Sequence, residues 1–288
     1  MDDAGTLRER VAAAAGRLSP KERRVAQYLQ ANPGRVAASS AATLAALIGT
    51  SDATVVRTAR SLGYAGFTEL RRSMAAEGPF RTAASVLAER MDHVDGVDDV
   101  LASTVEDTLG LVARLSEQRT AAAWAAAARL LEGASRVWTI GFGPAATPAE
   151  FLALSLSRIG VESTAITTTG FRMADDLLRI RAAEVVVVFA PGRLFQEIDA
   201  ALERVREVGA SSVVVSEALG LALRDRADVV ISTPGTTDSS ASELTAALLL
   251  SHSWTLRLAR RDRERTLGRL AELNRVRTRI VGGPLDAV

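Results

Sequence analysis

Along the first 77 residues the apolar positions recur every three or four residues and are interrupted at short intervals by cap and turn residues, the pattern of short helices. Ser19-Pro20-Lys21-Glu22 carries three marks of a helix start: serine at the N-cap, proline at the first helical position and glutamate to complete a capping box. The helix predicted behind it presents Val25, Ala26, Tyr28 and Leu29 before Asn32-Pro33-Gly34 stops it. A second helix is predicted over about Ala41 to Ile48, burying Leu44, Leu47 and Ile48 and ending at Gly49. Thr50-Ser51 makes the turn, and Ser51 caps a third helix from Asp52 to Leu62, closed by Gly63. Two short helices joined by a tight glycine-containing turn are the helix-turn-helix pattern.

At about 100° per residue, Val55, Ala59 and Leu62 fall on one side of the third helix and pack inward. Thr54, Arg57, Thr58 and Ser61 share the opposite side, flanked by Ala53 and Arg60. A face of small hydroxyls, alanine and arginine, with no acid at its centre, can enter a major groove and reach base edges and phosphates. The helix start inserts first in this motif, which adds Ser51 and Asp52 to the candidate DNA contacts. Asp52 sits awkwardly beside phosphate; it either accepts from cytosine or favours the helix N-terminus electrostatically. The plainer alternative is a helical bundle with a solvated third helix.

From Arg136 onward the period changes. Short apolar runs at Val137–Ile140, Val161–Ile166, Val185–Phe189, Ser212–Val215 and Val229–Ile231 alternate with helical stretches such as Pro148–Ile159 and Gln196–Val208. Thr147-Pro148-Ala149-Glu150 repeats the cap, proline and capping-glutamate device. Runs such as Val185 to Phe189 are apolar on both faces, as in a parallel sheet covered by helices on each side. The expected fold is therefore α/β overall: an all-α helix-turn-helix domain, then a doubly wound α/β/α domain with a five-stranded parallel sheet. In such a domain ligands bind beyond the C-terminal strand ends.

Two strand-end loops stand out, Gly141-Phe142-Gly143-Pro144-Ala145-Ala146 and Ala190-Pro191-Gly192-Arg193. The first fits the dinucleotide pattern G-x-G-x-x-A, but the second strand ends in Ile166-Thr167-Thr168-Thr169-Gly170, with no carboxylate for a ribose. No cofactor is expected. Between the two regions, residues 78–110 open with Gly78-Pro79 and run through Asp95-Gly96-Val97-Asp98-Asp99. Val100, Leu101, Val105, Leu109 and Val112 then recur at helical spacing. The domain reading is 1–77 for the helix-turn-helix domain, 78–110 for an acidic linker and connecting helix, and 111–288 for the ligand-sensing and dimerisation domain.

Composition changes this picture in two ways. A net charge of +1 hides eleven Lys/Arg against seven Asp/Glu in residues 1–77, and nine Arg against four acids from Trp254 to the end. Residues 81–107 run the other way, with seven acids against Arg81 and Arg90. Modules of opposite charge suggest different partners, one of them a polyanion. The absence of cysteine excludes disulfides and thiolate metal sites, and two distant histidines, His93 and His252, make a histidine metal site improbable. With no apolar run of about 18 residues and no signal-peptide pattern at the start, a cytoplasmic, non-membrane protein is expected.

Leu18-Ser19-Pro20-Lys21-Glu22-Arg23-Arg24-Val25-Ala26, then Ala53-Thr54-Val55-Val56-Arg57, then Leu62-Gly63-Tyr64-Ala65-Gly66-Phe67-Thr68-Glu69-Leu70 resembles the N-terminal domain of the RpiR family of transcription regulators. The resemblance runs through roughly residues 7–75 and implies binding to double-stranded DNA, with Thr54 and Arg57 foremost. Residues 110–260 resemble the sugar isomerase (SIS) domain that accompanies this helix-turn-helix. That domain implies homo-oligomers, dimers or tetramers, and a phosphosugar held by Ser/Thr hydroxyls and helix N-termini. The sequence departs at those positions: Ala145 replaces the first serine, and Pro191 and Leu194 replace the serine and threonine of the second loop. Arg193 can compensate by pairing with phosphate or carboxylate, and Thr167, Thr168 and Thr169 can supply hydroxyls. The ligand-binding candidates are thus Gly141, Gly143, Pro144, Ala145, Thr167, Thr168, Thr169, Ala190, Pro191, Gly192 and Arg193. A phosphosugar, another small anionic metabolite, and a site kept only for dimerisation all stay open.

An enzyme is the rival class. Isomerisation needs a general base, and Glu243 and His252 are the only plausible pair near the site. Glu243 reads more simply as favouring a helix start after a Ser239-Ser240 cap, and His252 as part of a packed helix, so no catalysis is expected. A DNA-binding dimer with no ligand is the third class. The stretch Arg257–Arg279, with Leu267, Leu270, Leu273 and Val276 among arginines, reads as a packing helix with a basic face.

Overall fold

The computed structural model describes residues 7–32, 36, 39–76, 83–94, 96–116, 118–190, 196–217, 223, 226–236 and 239–283. The chain divides into two compact units, Met1–His93 and Val94–Val288.

The first unit is helical: α1 (Leu7–Ala14), α2 (Pro20–Ala31), α3 (Ala41–Ile48), α4 (Asp52–Ser61), α5 (Phe67–Ala76) and α6 (Ala83–Asp92). The capping box at α2 forms in full, with Ser19 Oγ accepting from the Glu22 amide at 3.3 Å and the Ser19 amide donating to Glu22 Oε2 at 3.0 Å. Gly49 ends α3 in the left-handed region at φ 70°, where a side chain is strained, and this turns the chain into α4. Leu29, Leu44, Val55, Ala59 and Leu70 are fully buried and form the centre of the unit. Leu47, expected inside, is 44% exposed; Leu44, Ala45 and Ile48 already fill the inner arc of α3.

The second unit begins with a 3-10 turn at Val97–Asp99 and helices α7 (Val100–Leu115) and α8 (Gln118–Gly133). There follow β1 (Val137–Ile140), α9 (Ala146–Arg158), β2 (Ser163–Ile166), α10 (Gly170–Leu178), β3 (Val185–Phe189), α11 (Gln196–Val208), β4 (Ser211–Ser216) and β5 (Val229–Ser232). Two long helices close the chain, α12 (Glu243–Arg261) and α13 (Arg263–Val281). The five strands form one parallel sheet in the order β2-β1-β3-β4-β5.

Both faces of this sheet are covered. Val185, Val187 and Phe189 point to one side and pack with residues of α8, α9 and α12, including Trp254. Val186 and Val188 point to the other and pack with Met173 and Leu177 of α10 and Ile198 and Leu202 of α11. The period-2 alternation of one apolar strand thus feeds two separate cores.

The basic stretch Arg257–Arg279, read as one helix, is broken at Asp262, which ends α12 and caps α13 by accepting from the Arg265 amide at 3.1 Å. The Thr147 capping device is also absent. A 3-10 turn at Gly143–Ala145 runs straight into α9, so Ala145 occupies the cap position and Thr147 lies inside the helix. Ser242, and not the Ser239-Ser240 pair, caps α12 by accepting from the Leu244 amide.

Candidate functional site: recognition helix and sheet-end crevice

Helix α4 is fixed at its start by a hydroxyl pair. Ser51 Oγ accepts from the Thr54 amide at 3.3 Å and lies 2.8 Å from Thr54 Oγ1. Asp52 folds back over the helix end, its Oδ1 accepting from the Ala53 amide at 2.7 Å. The carboxylate thereby favours the helix N-terminus, the second of the two roles open to it from sequence. Asp52, Ala53, Arg57, Arg60 and Ser61 are exposed, and Thr54 is half-buried.

Thr58 does not belong to this face. It is fully buried, and its hydroxyl donates to the Thr54 carbonyl at 2.8 Å. Helices α2 and α3 both pack on α4 and cover a wider arc than Val55, Ala59 and Leu62 alone mark out. Ser61 is exposed but engaged, donating to Glu22 Oε1 at 2.8 Å. Glu22 therefore ties the start of α2 to the end of α4. The Ser19 hydroxyl and amide, the Ser61 hydroxyl and the nearby Arg57 guanidinium hold its carboxyl below the usual carboxylate range. Glu22 was legible as a capping residue, but its bond across to Ser61 was not.

Beside α4 lies an open groove of about 630 Å³ lined by Ser40, Val56, Arg60, Gly66, Phe67 and Arg71. It brings the N-termini of α3 and α5 next to two arginines. Helix N-termini and guanidinium groups are the donors that hold phosphate oxygens in a DNA backbone.

In the second unit, β1 and β3 are neighbours whose following connections diverge, to α9 and β2 on one side and to α11 and β4 on the other. In open sheets of this kind such a switch point is where a ligand crevice forms, at the C-terminal strand ends. Gly141 follows β1 at that end and is buried, and nothing larger fits: a Cβ there would sit 2.1 Å from the Ala145 carbonyl oxygen. Gly143 takes φ 55°, and Pro144 is exposed on the 3-10 turn. Ala145 is buried, its amide donating to the Phe142 carbonyl at 3.2 Å. The Ala146 amide is spent on the Gly143 and Pro144 carbonyls, and the Gly141 amide on Ile166 O at 3.3 Å. Pro144 and Pro148 have no amide to give. Three amides around the turn, those of Gly141, Ala145 and Ala146, are thus bonded within the protein.

Thr167 follows β2 and is half-buried, its Oγ1 3.4 Å from Glu150 Oε1 of α9; Thr168 and Thr169 are exposed beside it. Ala190 is buried at the end of β3, its amide donating to Val215 O at 2.9 Å. Pro191, Gly192 and Arg193 lie outside the described residues. Two acids at this edge of the sheet are not among the site candidates from sequence, where Glu150 reads only as a capping residue. Glu150 stands on the rim beside Thr167, and Glu217, directly after β4, accepts from the Thr236 amide and hydroxyl at 2.9 and 3.0 Å. The signal for Glu217 was its place at a strand end.

The isomerase pair does not assemble. Glu243 and His252 both lie on α12, nine residues apart, which separates them by roughly 13 Å along the axis and by half a turn around it. His252 is exposed and not packed. Among the described residues no group of acids and histidines could hold a metal ion, and no helix is long and apolar enough to cross a membrane.

Residues 5–78 match the family model of the helix-turn-helix domain of the rpiR family. The first unit carries an RpiR-type helix-turn-helix. Two relatives share 25% identity with the chain, and both are named HTH-type transcriptional regulators. One, from Caldanaerobacter subterraneus, aligns over 69% of this chain and 70% of its own length. The other, YbbH of Bacillus subtilis, aligns over 75% and 76%. Among solved structures, the sugar isomerase domain of an RpiR transcription factor from Sphaerobacter thermophilus superposes with a TM-score of 0.53 at 21% identity, covering 62% of this chain and 97% of that one. The Vibrio vulnificus NanR protein complexed with ManNAc-6P gives 0.55 at 21% identity, covering 94% and 98%. The region behind the RpiR-type helix-turn-helix thus has the SIS-like fold.

Proposed function

We propose that the chain is a sequence-specific DNA-binding transcription regulator, a homo-oligomer whose SIS-like domain responds to a small anionic metabolite, a phosphosugar first among the candidates. The observation that carries this reading is the capped, exposed face of α4 in an rpiR-family helix-turn-helix. In it Ala53 and Arg57 stand outward, and Arg60 and Arg71 line the adjoining groove. Thr54 and Arg57 read bases or adjacent phosphates, Ser51 and Asp52 hold the helix start, and the groove beside α4 takes the backbone. Thr58 contributes to packing instead. The domain division at 1–77, 78–110 and 111–288 assigns DNA contact to the first segment and ligand response to the third.

Selection from random duplexes with the full chain, followed by mobility shift at defined salt, tests the DNA reading. A pseudo-palindromic site is expected, with binding lost in Arg57→Ala; failure to enrich any sequence would sink it.

For the ligand, support comes from the crevice at the switch point and from NanR, which binds ManNAc-6P in a related fold. A ligand works only by binding two arrangements of the oligomer unequally. A second ligand class, an anion that asks for fewer hydrogen bonds than a phosphate monoester, is favoured by one observation: the amides of Gly141, Ala145 and Ala146 are already taken. A thermal-shift panel of phosphosugars, sugar acids and nucleotides separates the two. At a hundred times its Kd a ligand stabilises by about 2.7 kcal/mol. A phosphosugar hit lost in Arg193→Ala supports the first class, and a hit confined to sugar acids supports the second.

A further inference from the structure

Two helices of the second unit carry apolar rows that the described residues of the unit leave exposed. On the first, the 3-10 turn and α7 present Val97, Leu101, Val105 and Leu109, which are 90%, 76%, 50% and 65% exposed. The last three repeat at four-residue spacing and form a stripe along one side of the helix. The other side of α7 is anchored: Leu111 and Leu115 are buried with Ala241 and Ala246, and Asp107 accepts from the Ser240 amide and hydroxyl at 2.6 and 2.7 Å. The exposed stripe is therefore held rigidly in place.

On the second, α13 is anchored only near its start. Thr266 is its one buried residue among those described, and Arg265 donates to the Gly160 carbonyl at 2.9 Å. Beyond that turn the helix continues to Val281 with Val276 46% and Ile280 78% exposed.

We infer that these two surfaces are partners between two copies of the chain: α13 of each copy lies antiparallel along the 3-10 turn and α7 of the other. This rests on the reading that the protein is a homo-oligomer, and it specifies the interface. Three observations fix the occupant and the direction. The first is charge. The border of the α7 stripe is acidic, with Asp98, Asp99 and Glu106 exposed, whereas residues 273–281 of α13 carry Arg275, Arg277 and Arg279 and no acid. The acids lie toward the start of α7 and the arginines toward the end of α13, so opposite charges meet only when the helices run antiparallel. That arrangement also sets the negative end of one helix dipole beside the positive start of the other.

The second observation is register. Setting Ile280 opposite Leu101 sets Val276 opposite Val105, because both rows step by four residues. The third is size. In that register residues 100–115 face residues 266–281, about 16 residues or roughly 24 Å, and a strip about 10 Å wide on both helices of both symmetric contacts totals on the order of 1,000 Å². That is near the lower end of what a specific interface needs. A two-fold axis generates both contacts at once, so the assembly closes at a dimer. Since α7 starts just after His93, the partner's α13 would hold the first helix that follows the DNA-binding unit.

The chain has no cysteine, so a disulfide test is free of background. Val105→Cys and Val276→Cys chains carrying tags of different size are co-expressed as full-length proteins and oxidised mildly. A covalent heterodimer is expected only when both variants are present. A covalent dimer from Val105→Cys alone would mean that α7 pairs with itself, and one from Val276→Cys alone that α13 does; either overturns the inference. Light scattering on the untreated protein separates the remaining outcome. A dimer that never cross-links removes this interface and leaves the homo-oligomer reading intact, while a monomer at micromolar concentration removes both. As a second measurement, Arg275→Glu/Arg277→Glu/Arg279→Glu should weaken dimerisation at least tenfold. Adding Asp98→Lys/Asp99→Lys/Glu106→Lys to the same chain should restore it; equal losses without restoration would overturn the charge pairing.

Discussion

Replacing Glu132 with alanine should destabilise the second unit by about 2 kcal/mol, which is between the costs of breaking surface and fully buried ion pairs. Glu132 sits in the last turn of α8, where the negative end of the helix disfavours an acid. Two arginines four residues apart on α12 hold it there: Arg257 Nε and Arg261 Nη1 each donate to one of its oxygens at 2.6 Å. Its side chain is only 10% exposed, but those of Arg257 and Arg261 are 36% and 69% exposed. Once the carboxylate is gone both cations can rehydrate, so the cost falls short of the full penalty for an unpaired buried charge. Arg257 also lies over the Trp124 ring, 5.4 Å from its centroid, and the Trp124 indole donates to Ser253 Oγ at 2.8 Å. All three tryptophans, Trp124, Trp138 and Trp254, belong to the second unit, so thermal unfolding followed by tryptophan fluorescence reports it directly. In a unit of this size about 2 kcal/mol lowers Tm by roughly 4–8 °C. The Arg257 hydrogen bond, reinforced by the charges of Arg257 and Arg261, holds the Glu132 carboxyl below its usual range. A depressed folded-state pKa stabilises above the unfolded value of about 4.3, and the contribution disappears as pH falls through the folded value. The Tm gap between wild type and Glu132→Ala should therefore hold from pH 7 to about pH 5, start to narrow below about pH 4.3 and close only as pH falls through the lowered folded value. Equal Tm values at pH 7, or a gap that widens on acidification, would refute the reasoning.

Gly141→Ala drives a Cβ to 2.1 Å from the Ala145 carbonyl oxygen, so the 3-10 turn must shift at a cost of about 2 kcal/mol or more; the same fluorescence melt should fall by several degrees, and an unchanged Tm counts against the close approach. Ser51→Ala removes the α4 cap, worth about 1 kcal/mol, and should speed amide exchange of Thr54 roughly fivefold if that amide exchanges by local opening. Thr58→Val should leave DNA affinity within about twofold, whereas Arg57→Ala should lower it about tenfold or more, both by mobility shift. Equal losses in the two variants would mean that Thr58 faces the DNA after all.

Local signals carried most of what was readable in the chain. The capping box at Ser19 and Glu22, the left-handed Gly49 and the two-sided apolar run Val185 to Phe189 each depend on a few neighbouring residues, and each forms as the spacing predicts. The misses share a cause in tertiary packing. Thr58 lies about 40° from Leu62 on the helical wheel, at the edge of the inner arc, and only the packing of α2 on α4 decides which side of that edge is covered. Polarity argued for the outside, and a hydroxyl that bonds back to its own helix satisfies it inside. Thr147 offered a complete capping pattern, yet Gly143-Pro144 starts the turn earlier and draws Thr147 into the helix. Glu150 and Glu217 gained their roles only when separate strand ends came together.

That last point bears on what the crevice can sense. Position 145, where the SIS resemblance implies a serine, carries a buried methyl, and the Gly141, Ala145 and Ala146 amides near it are already bonded. Two hydrogen bonds lost to a ligand, at about 1 kcal/mol each, weaken binding roughly thirtyfold. Weaker binding does not by itself disable a sensor, because the switch depends on the ratio of affinities for two arrangements and not on either affinity alone. It does move the working range to higher metabolite concentration. Glu150, beside Thr167 on the rim, pushes the same way, since a carboxylate next to an anion site opposes a dianionic phosphate more than a singly charged acid. On the proposed ligand reading, three bonded amides and an acid at the edge favour an abundant ligand, or one of lower charge than a phosphate monoester.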